Sequence, residues 1–415
     1  MMSKVYVLGG YQTDFSSKWS NNENALFDMM KETTMNALSS VKLQPHELEA
    51  AHIGNFAGEL FSGQGQLGGL FASIHPDLET IPTSRHEAAC ASGSIALLAG
   101  AADIEAGRYD LVCVLGVEQM KNVSTQKAAE YLGAACWVGR EAQDARFPWP
   151  YLFSRLVDEY DERFGIKYEH LARIAEINLS NARRNHNAQT RSWELDTECF
   201  GENPEFNPVV EGRVRKIDCG RTTDGGSAVI LASERFVAEY AKKNGRNISD
   251  IPHIKGWGHR TAPMLLEDKL NRSSNSPYVF PHVHQAIQDA FCRAGMDGVG
   301  EIDGIETHDC FTITEYIAID HFGITPPGAS WQAIESGEIE LEGRIPINPS
   351  GGLIGNGHPV GATGVRMVLD AYKQVTGSAQ DYQIEGAKNI ATLNIGGSMT
   401  TVVSFVVGVD SAVTP

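Results

Sequence analysis

The sequence predicts a layered α/β fold made of two similar halves, with an extra segment inserted between elements of the first half. Three observations support this prediction. Apolar strand-like runs alternate with stretches of helical periodicity, the later part of the chain repeats the order of the earlier part, and a polar stretch without clear strands separates them. The 415 residues, 42% of them hydrophobic, are enough to build one large duplicated domain or two or three smaller ones.

The first half is predicted to start with a buried strand over residues 4–11 and an amphipathic helix that begins at Ala25. A short strand at 50–56 runs into a loop, and "LVCVLGVEQM" at 111–120 is a further strand. Between these two strands, the nearly all-apolar "SGSIALLAGAADIEAG" predicts a long helix that is buried on most sides. The strand pattern returns at 222–233.

The second half repeats this order in outline. An amphipathic helix begins at Pro281, and "IDGIETHDCF" resembles "LEAAHIGNF" as a strand that ends in a polar loop. "GHPVGATGVRMVLDAYKQV" resembles "CASGSIALLAGAADIEAG", because a turn of small residues opens a long helix in both. The closing "NIATLNIGGSMTTVVSFVVG" matches the two later strands of the first half. The similarity is one of pattern rather than of identical residues, and it indicates a duplicated fold.

These patterns divide the chain into four parts. We expect residues 1–120 to form most of the N-terminal half and 276–415 to form the C-terminal half. Residues 121–214 are polar and rich in aromatic side chains, and we expect them to form an inserted, mostly helical loop or cap domain. Residues 215–275 are expected to complete the N-terminal half.

The charge of the chain excludes some classes of function. Lys and Arg number 34 against 52 acidic residues, which gives a net charge of -18. A general nucleic-acid binder needs a basic face for phosphate contacts, and docking on an anionic membrane needs basic clusters. We therefore expect neither, and we expect no membrane span because no apolar run is long enough.

The cysteine pattern favours a reducing compartment. There are seven cysteines, an odd number, and no CxxC pair, which argues against a disulfide framework or a structural zinc site. The chain start has no signal-peptide pattern, and the last residues, "SAVTP", match no retention or peroxisomal signal. A cytoplasmic protein is the expectation that follows.

Cys90, in "RHEAACASGSIALLAG", is the first candidate for chemistry. Small neighbours leave the backbone open to a substrate, and a thiol at a helix N-terminus lies at the positive end of the helix dipole. Backbone N–H groups at such a position can also bind an oxyanion. The alternative is a buried structural cysteine, which is the commoner role for this residue type.

His358 lies in the second candidate segment, "NPSGGLIGNGHPVGATG". Six glycines in 17 residues allow a backbone to take unusual conformations and to approach other groups closely. A histidine beside a thiol can take its proton. The alternative is a phosphate-binding glycine loop, although the Gly-Lys-Ser/Thr ending of a nucleotide loop is missing. Because the two segments occupy equivalent places in the two halves, a pseudo-twofold arrangement would bring Cys90 and His358 together.

These motifs carry a resemblance to a known family. "CASGS", "NPSGGLIGNGHPVGATG" and "LNIGGSMTT" resemble the motifs of thiolases, and the resemblance covers essentially the whole chain. It implies a thiolase-like five-layered α-β-α-β-α fold with an inserted loop domain. It also implies acyl transfer between a cysteine and coenzyme A thioesters, making or cleaving 3-ketoacyl-CoA, in the manner of an acetyl-CoA acetyltransferase. Acyl-CoA and CoA are then substrates, and no cofactor or metal is expected.

One departure from the common thiolase pattern changes the expected site. Common thiolases carry a second catalytic cysteine in a C-x-G segment, where this chain has Asn394-Ile395-Gly396. The segment His308-Asp309-Cys310-Phe311 instead resembles the HDCF motif of the sterol-carrier-protein-2-type thiolases. The resemblance implies that Cys310 supplies the second sulfur and that His308 and His358 donate to an enolate oxygen. The backbone N–H groups of Cys90 and Gly396 are expected to hold the oxyanion.

Other functions on the same fold remain open at this point. One is a different C-acyltransferase or a retro-aldolase that acts on another CoA ester, and one is a non-catalytic lipid-binding or scaffold protein. Family members are homodimers or homotetramers, and some assemble with a small OB-fold partner protein. For the phosphates of CoA, the basic stretches offer Arg183, Arg184, Arg191, Arg213, Arg215 and Lys216, and His259 is a candidate for the pantetheine tunnel.

Overall fold

The computed structural model describes residues 4–19 and 22–410. The strands are β1 (Val5–Gln12), β2 (Ala50–Gly54), β3 (Thr83–His86), β4 (Leu111–Glu118), β5 (Val209–Glu211), β6 (Val214–Arg215), β7 (Gly225–Ser233), β8 (His253–Thr261), β9 (Gly304–Thr307), β10 (Asn389–Gly396) and β11 (Thr401–Gly408). The helices are α1 (Ala25–Ser40), α2 (Gly58–Phe61), α3 (Leu67–Ala72), α4 (Ser92–Glu105), α5 (Thr125–Leu132), α6 (Pro148–Phe164), α7 (Tyr168–Ala182), α8 (Glu234–Asn244), α9 (Leu266–Ser273), α10 (Pro281–Ala294), α11 (Thr312–Phe322), α12 (Ser330–Glu335) and α13 (Thr363–Val375).

The N-terminal half is a mixed sheet in the order β3-β2-β4-β7-β1. The pairs β3–β2 and β2–β4 are parallel, whereas β4–β7 and β7–β1 are antiparallel. Strands β4 and β7 are buried along their whole length, as their continuous apolar runs predict for strands covered on both faces. Helix α1 packs against β1, β4 and β7 on one face, and α4 packs against β2 and β4.

The C-terminal half has the same pattern of strands. Its order is β9-β10-β11-β8, with β9–β10 parallel and the pairs β10–β11 and β11–β8 antiparallel. Strand β8 comes from the segment 215–275 that was expected to complete the N-terminal half, but it pairs with β11 along its length and meets β1 only at Tyr6–His253. In this half, the place of β3 is taken by an isolated parallel bridge between Ile305 of β9 and Ile347. Helix α10 covers β8 and β11 as α1 covers β1 and β7. The duplication predicted from the sequence is therefore confirmed element by element.

Helices α4 and α13 pack between the two halves. Helix α13 contacts β10 and β11 on one side and β1, β4 and β7 on the other, and it also packs against α4. One apolar cluster accordingly joins both halves through α13, with Val7, Val114, Leu369, Val403 and Phe405 among its members. The pair Tyr6–His253 also links β1 to β8, so nine of the eleven described strands form one continuous sheet, from which β5 and β6 are separate.

The segment predicted as an insertion contributes helices α5, α6 and α7 and the small β5–β6 sheet. Pro148 occupies the first turn of α6, where its missing N–H costs nothing. Apolar residues of α6 and α7, such as Leu156 and Ile174, share a core with Ile317 of α11 and Phe291 of α10. These helices thus lie over the C-terminal half and close one side of the site. Over the described ranges, no helix is both long and apolar enough to cross a membrane.

Candidate active site

Cys90 lies in a tight turn, Ala89–Ala91, immediately before α4. Ala89 has a φ of 51°, a conformation that a residue with a side chain rarely adopts, so the turn is strained where it presents the thiol. The sulfur accepts N–H groups from its own backbone and from Gly397. Burial nevertheless raises the pKa of the Cys90 thiol to about 12, because a thiolate would lose its hydration. The resting group is therefore a thiol.

His358 is held in place by both its backbone and its ring. Its N–H donates to Thr223 Oγ1 at 2.9 Å, and its Nδ1 lies 2.7 Å from Thr363 Oγ1. The Thr363 hydroxyl donates its proton to the Pro359 carbonyl at 3.0 Å. The same hydroxyl must then accept Nδ1–H, which leaves Nε2 of His358 as a bare acceptor. Burial and the nearby Arg366 lower the pKa of His358 to about 3, so the ring is neutral.

His308 follows β9 and lies next to His358. The two ring centroids are 5.2 Å apart, with the ring planes at 87°. The Nδ1 atom of His308 lies 3.1 Å from Nδ2 of Asn394 on β10. Burial lowers the pKa of His308 well below its ordinary value, and positive charge on the nearby His358 and Arg366 lowers it further. This ring is therefore neutral as well.

The structure brings the first three predicted residues together. The Cys90 sulfur and one nitrogen each of His308 and His358 lie within 4.8 Å of one another. Cys90 belongs to the N-terminal half and both histidines to the C-terminal half, so the site forms only where the halves meet. A sulfur and two imidazoles are also ligand types of zinc, but the sequence analysis predicts no metal, and thiol acyl transfer requires none.

Cys310 lines the same cavity as Cys90 and His358. Burial raises the pKa of Cys310 well above its ordinary value, and negative charge on the nearby Cys90 and Asp309 raises it further. A hydrogen bond with Thr314 opposes this rise. Its carbonyl accepts the N–H of Gly220 at 2.8 Å, which fixes the turn. Cys310 is therefore a thiol at rest and a strong base once its proton is removed.

Asp309, which the sequence analysis did not single out, ties the HDCF segment to the glycine loop that carries His358. Its carboxylate accepts the N–H groups of Leu353 and Ile354 at 2.5 and 3.1 Å, and Nδ2 of Asn178 at 2.8 Å. Burial raises its pKa to about 6. Its position inside the HDCF segment was the available signal, because a buried acid between two reactive residues needs donors to satisfy it.

Two neighbouring glycines lie beside the turn that carries Cys90, where the oxyanion donor was predicted. Gly396, the predicted donor, is the last residue of β10 and packs against the turn that carries Cys90. Gly397 is the residue whose N–H reaches the Cys90 sulfur, and it lines the cavity. The sequence contains both glycines in "NIGG", but only the structure identifies the one that faces the sulfur.

The cavity beside Cys90 has a volume of about 460 Å³. Its walls are largely apolar and include Phe147, Trp149, Phe153 and Phe311. Two arginines also line it, Arg146 and Arg221, and neither forms an ion pair within the described part of the chain. They stack near aromatic rings instead, Arg146 on Phe147 and Arg221 on Trp193. An apolar cavity with two such cations suits a ligand that is apolar at one end and anionic at the other.

Most of the basic residues proposed from the sequence have acidic partners. Ion pairs join Arg184 to Glu342, Arg191 to Asp14, Arg213 to Asp161 and Arg215 to Glu202, at 3.6, 2.7, 2.7 and 3.0 Å. Arg183 and Lys216 are exposed. His259 is exposed on β8 and is not among the residues that line the cavity.

Comparison with known proteins identifies the family. The model named "Thiolase, N-terminal domain" matches residues 5–195, and the model named "Thiolase C-terminal domain-like" matches residues 267–409. The chain belongs to the thiolase family. This membership confirms the resemblance read from the sequence motifs and supports a thiolase-type acyltransferase.

Curated relatives span nearly the whole chain. An acetyl-CoA acetyltransferase of Methanothermobacter thermautotrophicus is 32% identical over 398 residues, which cover 96% of this chain and 97% of the relative. Sterol carrier protein 2 of Oryctolagus cuniculus is 29% identical over 421 residues, which cover 99% of this chain and 73% of the relative.

Solved structures confirm the thiolase fold. The Ltp2-ChsH2(DUF35) aldolase superposes with a TM-score of 0.77 at 18% identity, with 99% of each chain covered. Human mitochondrial 3-ketoacyl-CoA thiolase superposes with a TM-score of 0.67 at 17% identity, again with 99% of each chain covered.

Proposed function

We propose that this thiolase is an acyl-CoA C-acyltransferase, similar to acetyl-CoA acetyltransferases, that forms or cleaves 3-ketoacyl-CoA through an acyl group on Cys90. The observation that carries this proposal is the meeting of the Cys90 sulfur with the His308 and His358 rings within 4.8 Å, beside a cavity that Cys310 also lines. A nucleophile, a proton acceptor, a hydrogen-bond donor and a second sulfur are the groups that a Claisen condensation of thioesters needs.

In the first step, the Cys90 sulfur attacks the carbonyl carbon of an acyl-CoA. Its proton moves to the bare Nε2 of His358 and from there to the leaving CoA thiolate, so the proton count balances. The tetrahedral oxyanion is held by backbone N–H groups at Cys90 and at the Gly396–Gly397 turn. Donors of this kind are effective because they are fixed before the reaction and are shielded from water.

In the second step, acetyl-CoA enters and loses a proton from its methyl carbon. Cys310 first gives its own thiol proton to the bare Nε2 of His358 and then, as a thiolate, takes the methyl proton, while the enolate oxygen receives a hydrogen bond from His308. The carbanion attacks the acyl carbon on Cys90 and forms the 3-ketoacyl thioester, and the Cys90 sulfur leaves and recovers a proton from His358. In the thiolytic direction, Cys310 acts as the acid. The loss of one enolate donor is expected to cost about 100- to 1,000-fold in rate.

Coenzyme A is the ligand that the cavity suits. The pantetheine arm is flexible and mostly uncharged, and the apolar wall of Trp149 and Phe153 accepts it. The phosphates at the other end need cations, and Arg146 and Arg221 are cavity residues that no carboxylate neutralises within the described ranges. We therefore favour these two over the predicted Arg191, Arg213 and Arg215, whose charges are already paired.

The test is mass spectrometry of the protein after incubation with acetyl-CoA, followed by measurement of deuterium exchange into acetyl-CoA. We expect an added acetyl group on the peptide that contains Cys90, and none in Cys90→Ala. Cys310→Ala should still become acetylated but should lose exchange of the methyl protons. Cys292→Ala, which removes an exposed cysteine on α10, is the matched control and should behave as the parent does.

A retro-aldolase that acts on a CoA ester is the second candidate. The specific observation in its favour is the TM-score of 0.77 with an aldolase that has a DUF35 partner. A retro-aldol cleavage breaks a carbon–carbon bond without an acyl-enzyme. If Cys90 stays unmodified after incubation with every acyl-CoA tested, the acyltransferase proposal is wrong and the retro-aldolase is favoured.

A further inference from the structure

We propose that Asn394, oriented by Ser94, holds His308 in the tautomer that carries its proton on Nε2. His308 can then only donate a hydrogen bond to the reacting oxygen, whereas His358 can only accept a proton. Asn394 is then a positioning residue for the catalytic His308. The proposal rests on the proposed function for its meaning, but the tautomer itself can be measured without any substrate.

Ser94 sets the orientation of the Asn394 amide. Its hydroxyl donates to Asn394 Oδ1 at 2.8 Å, and both side chains are 1% exposed. The Ser94 hydroxyl has no second side-chain or backbone acceptor in the described part of the chain. Were the amide turned around, that buried hydroxyl proton would lose its acceptor, which is costly for a buried polar group. The carbonyl oxygen of Asn394 therefore faces Ser94, and the amide nitrogen faces His308.

The amide nitrogen then determines the protonation of His308. An amide NH₂ group can only donate, so the Nδ1 atom that lies 3.1 Å from it must be bare. The ring is neutral because it is buried beside a second imidazole and near the fully buried Arg366. A neutral imidazole with a bare Nδ1 carries its one proton on Nε2. That nitrogen is the one left for the reacting oxygen.

The neighbouring histidine is fixed in the opposite way. Thr363 donates to Pro359 and thereby accepts Nδ1–H of His358, which leaves His358 Nε2 without a proton. Two rings only 5.2 Å apart are thus held as a donor and an acceptor by different neighbours. This divides their work: His358 receives the Cys90 proton, and His308 is the main donor to the enolate oxygen.

The direct test is a ¹⁵N-histidine NMR spectrum of the full chain without substrate. We expect His308, assigned by the signal that disappears in His308→Gln, to show an unprotonated Nδ1 and a protonated Nε2. We expect Asn394→Asp to place a proton on Nδ1, because a carboxylate accepts and does not donate. A proton on Nδ1 of His308 in the parent protein would overturn the proposal, as would an unchanged His308 pattern in a folded Asn394→Asp.

The kinetic test uses the same variant with a matched control. In Asn394→Asp, we expect methyl-proton exchange to fall about 100- to 1,000-fold, with Cys90 acetylation within a few-fold of the parent. The ratio of variant to parent exchange should rise as the pH falls, because a second proton restores Nε2–H. Asn244→Asp makes the same change at the end of α8, a helix that contributes no residue to the cavity lining, and should leave both steps intact. Equal losses of acetylation and exchange would overturn the assigned role.

If Asn394→Asp does not fold, Ser94→Ala frees the amide to turn and is expected to give a mixture of both His308 tautomers. A single Nε2–H form in that variant would overturn the part assigned to Ser94. Failure of the proposed function looks different. It would appear as an absence of acetyl-Cys90 in the parent protein, with the tautomer signals of His308 unaffected.

Discussion

At the level of single residues, Cys90 combines access to a cavity with a thiol that is hard to ionise. Desolvation raises its pKa to about 12 even though two N–H groups point at the sulfur, and the adjacent His358 is neutral with a bare Nε2. A pair of neutral groups avoids the cost of burying separated charges. In the proposed reaction, the thiol loses its proton to Nε2 as the thioester carbonyl takes up the negative charge.

This ionisation makes a testable prediction about alkylation. Only the thiolate reacts with iodoacetamide, and a pKa of about 12 lies above the whole range from pH 7 to 9. The alkylation rate of Cys90 should therefore rise about tenfold per pH unit across that range, without a plateau. The rate is measured by mass spectrometry of the Cys90 peptide in a Cys292→Ser background, which removes an exposed competing thiol. Equal rates at pH 7 and pH 9 would mean that His358 holds a thiolate at rest.

The sequence could supply the reactive residues but not what orients them. Cys90, His308, Cys310 and His358 stand in recognisable motifs, and the structure places them around one cavity or directly behind it. Asn394 was noted only as a departure from a motif, because its contact with His308 depends on how two distant strands face each other. The choice of arginines proposed to bind the CoA phosphates had the same limit. Arg191 finds Asp14 across 177 positions, and no local pattern reveals such a partner.

At the level of elements, the predicted strands are correct in their cores and differ at their ends, where the site begins. The predicted strand 222–233 starts at Gly225 in the structure, because Thr222 pairs with His358 and Thr223 accepts its N–H. The predicted strand 111–120 ends at Glu118, because Asp224 accepts the N–H groups of Met120 and Lys121. Both strands stop where their backbone groups turn from the sheet to the site. The sequence pattern that predicts these strands extends beyond residues 118 and 225, so it cannot predict where the strands end.

The glycine loop before α13 depends on close backbone contact, and Gly361 tests it. A Cβ atom there would meet the carbonyl oxygens of Gly54 and Val117 at 2.6 and 2.7 Å, and the Gly361 N–H donates to Glu118. Gly361→Ala should therefore lower the free energy of unfolding by about 1–3 kcal/mol and displace His358, which lies three residues earlier. Urea denaturation and the rate of Cys90 acetylation measure the two effects. Gly300→Ala, which adds a methyl group in open space, should change neither.

At the level of the whole molecule, the two halves cannot be separated without dismantling the site. Cys90 comes from one half and its partners from the other, and α13 packs against strands of both. The apolar cluster around Leu369 contains Val7 and Val114 of the first half and Val403 and Phe405 of the second. Each half also has an apolar cluster of its own, and this shared cluster lies between the two. We infer that both halves unfold together, since neither can bury its inner face alone.

Leu369→Ala tests this coupling. Removing a buried leucine side chain typically costs about 2–5 kcal/mol, and here the lost contacts belong to both halves at once. Pulsed thiol labelling in urea can follow each half separately, because Cys113 is buried in β4 of the first half and Cys136 packs in the core of the second. We expect the two labelling midpoints to coincide in the parent and to fall by the same amount in Leu369→Ala. Ile248→Ala, at an exposed position, should move neither midpoint. Midpoints that separate in the variant would show that the halves hold their structure independently, and the packing of α13 would then not be what joins Cys90 to His358.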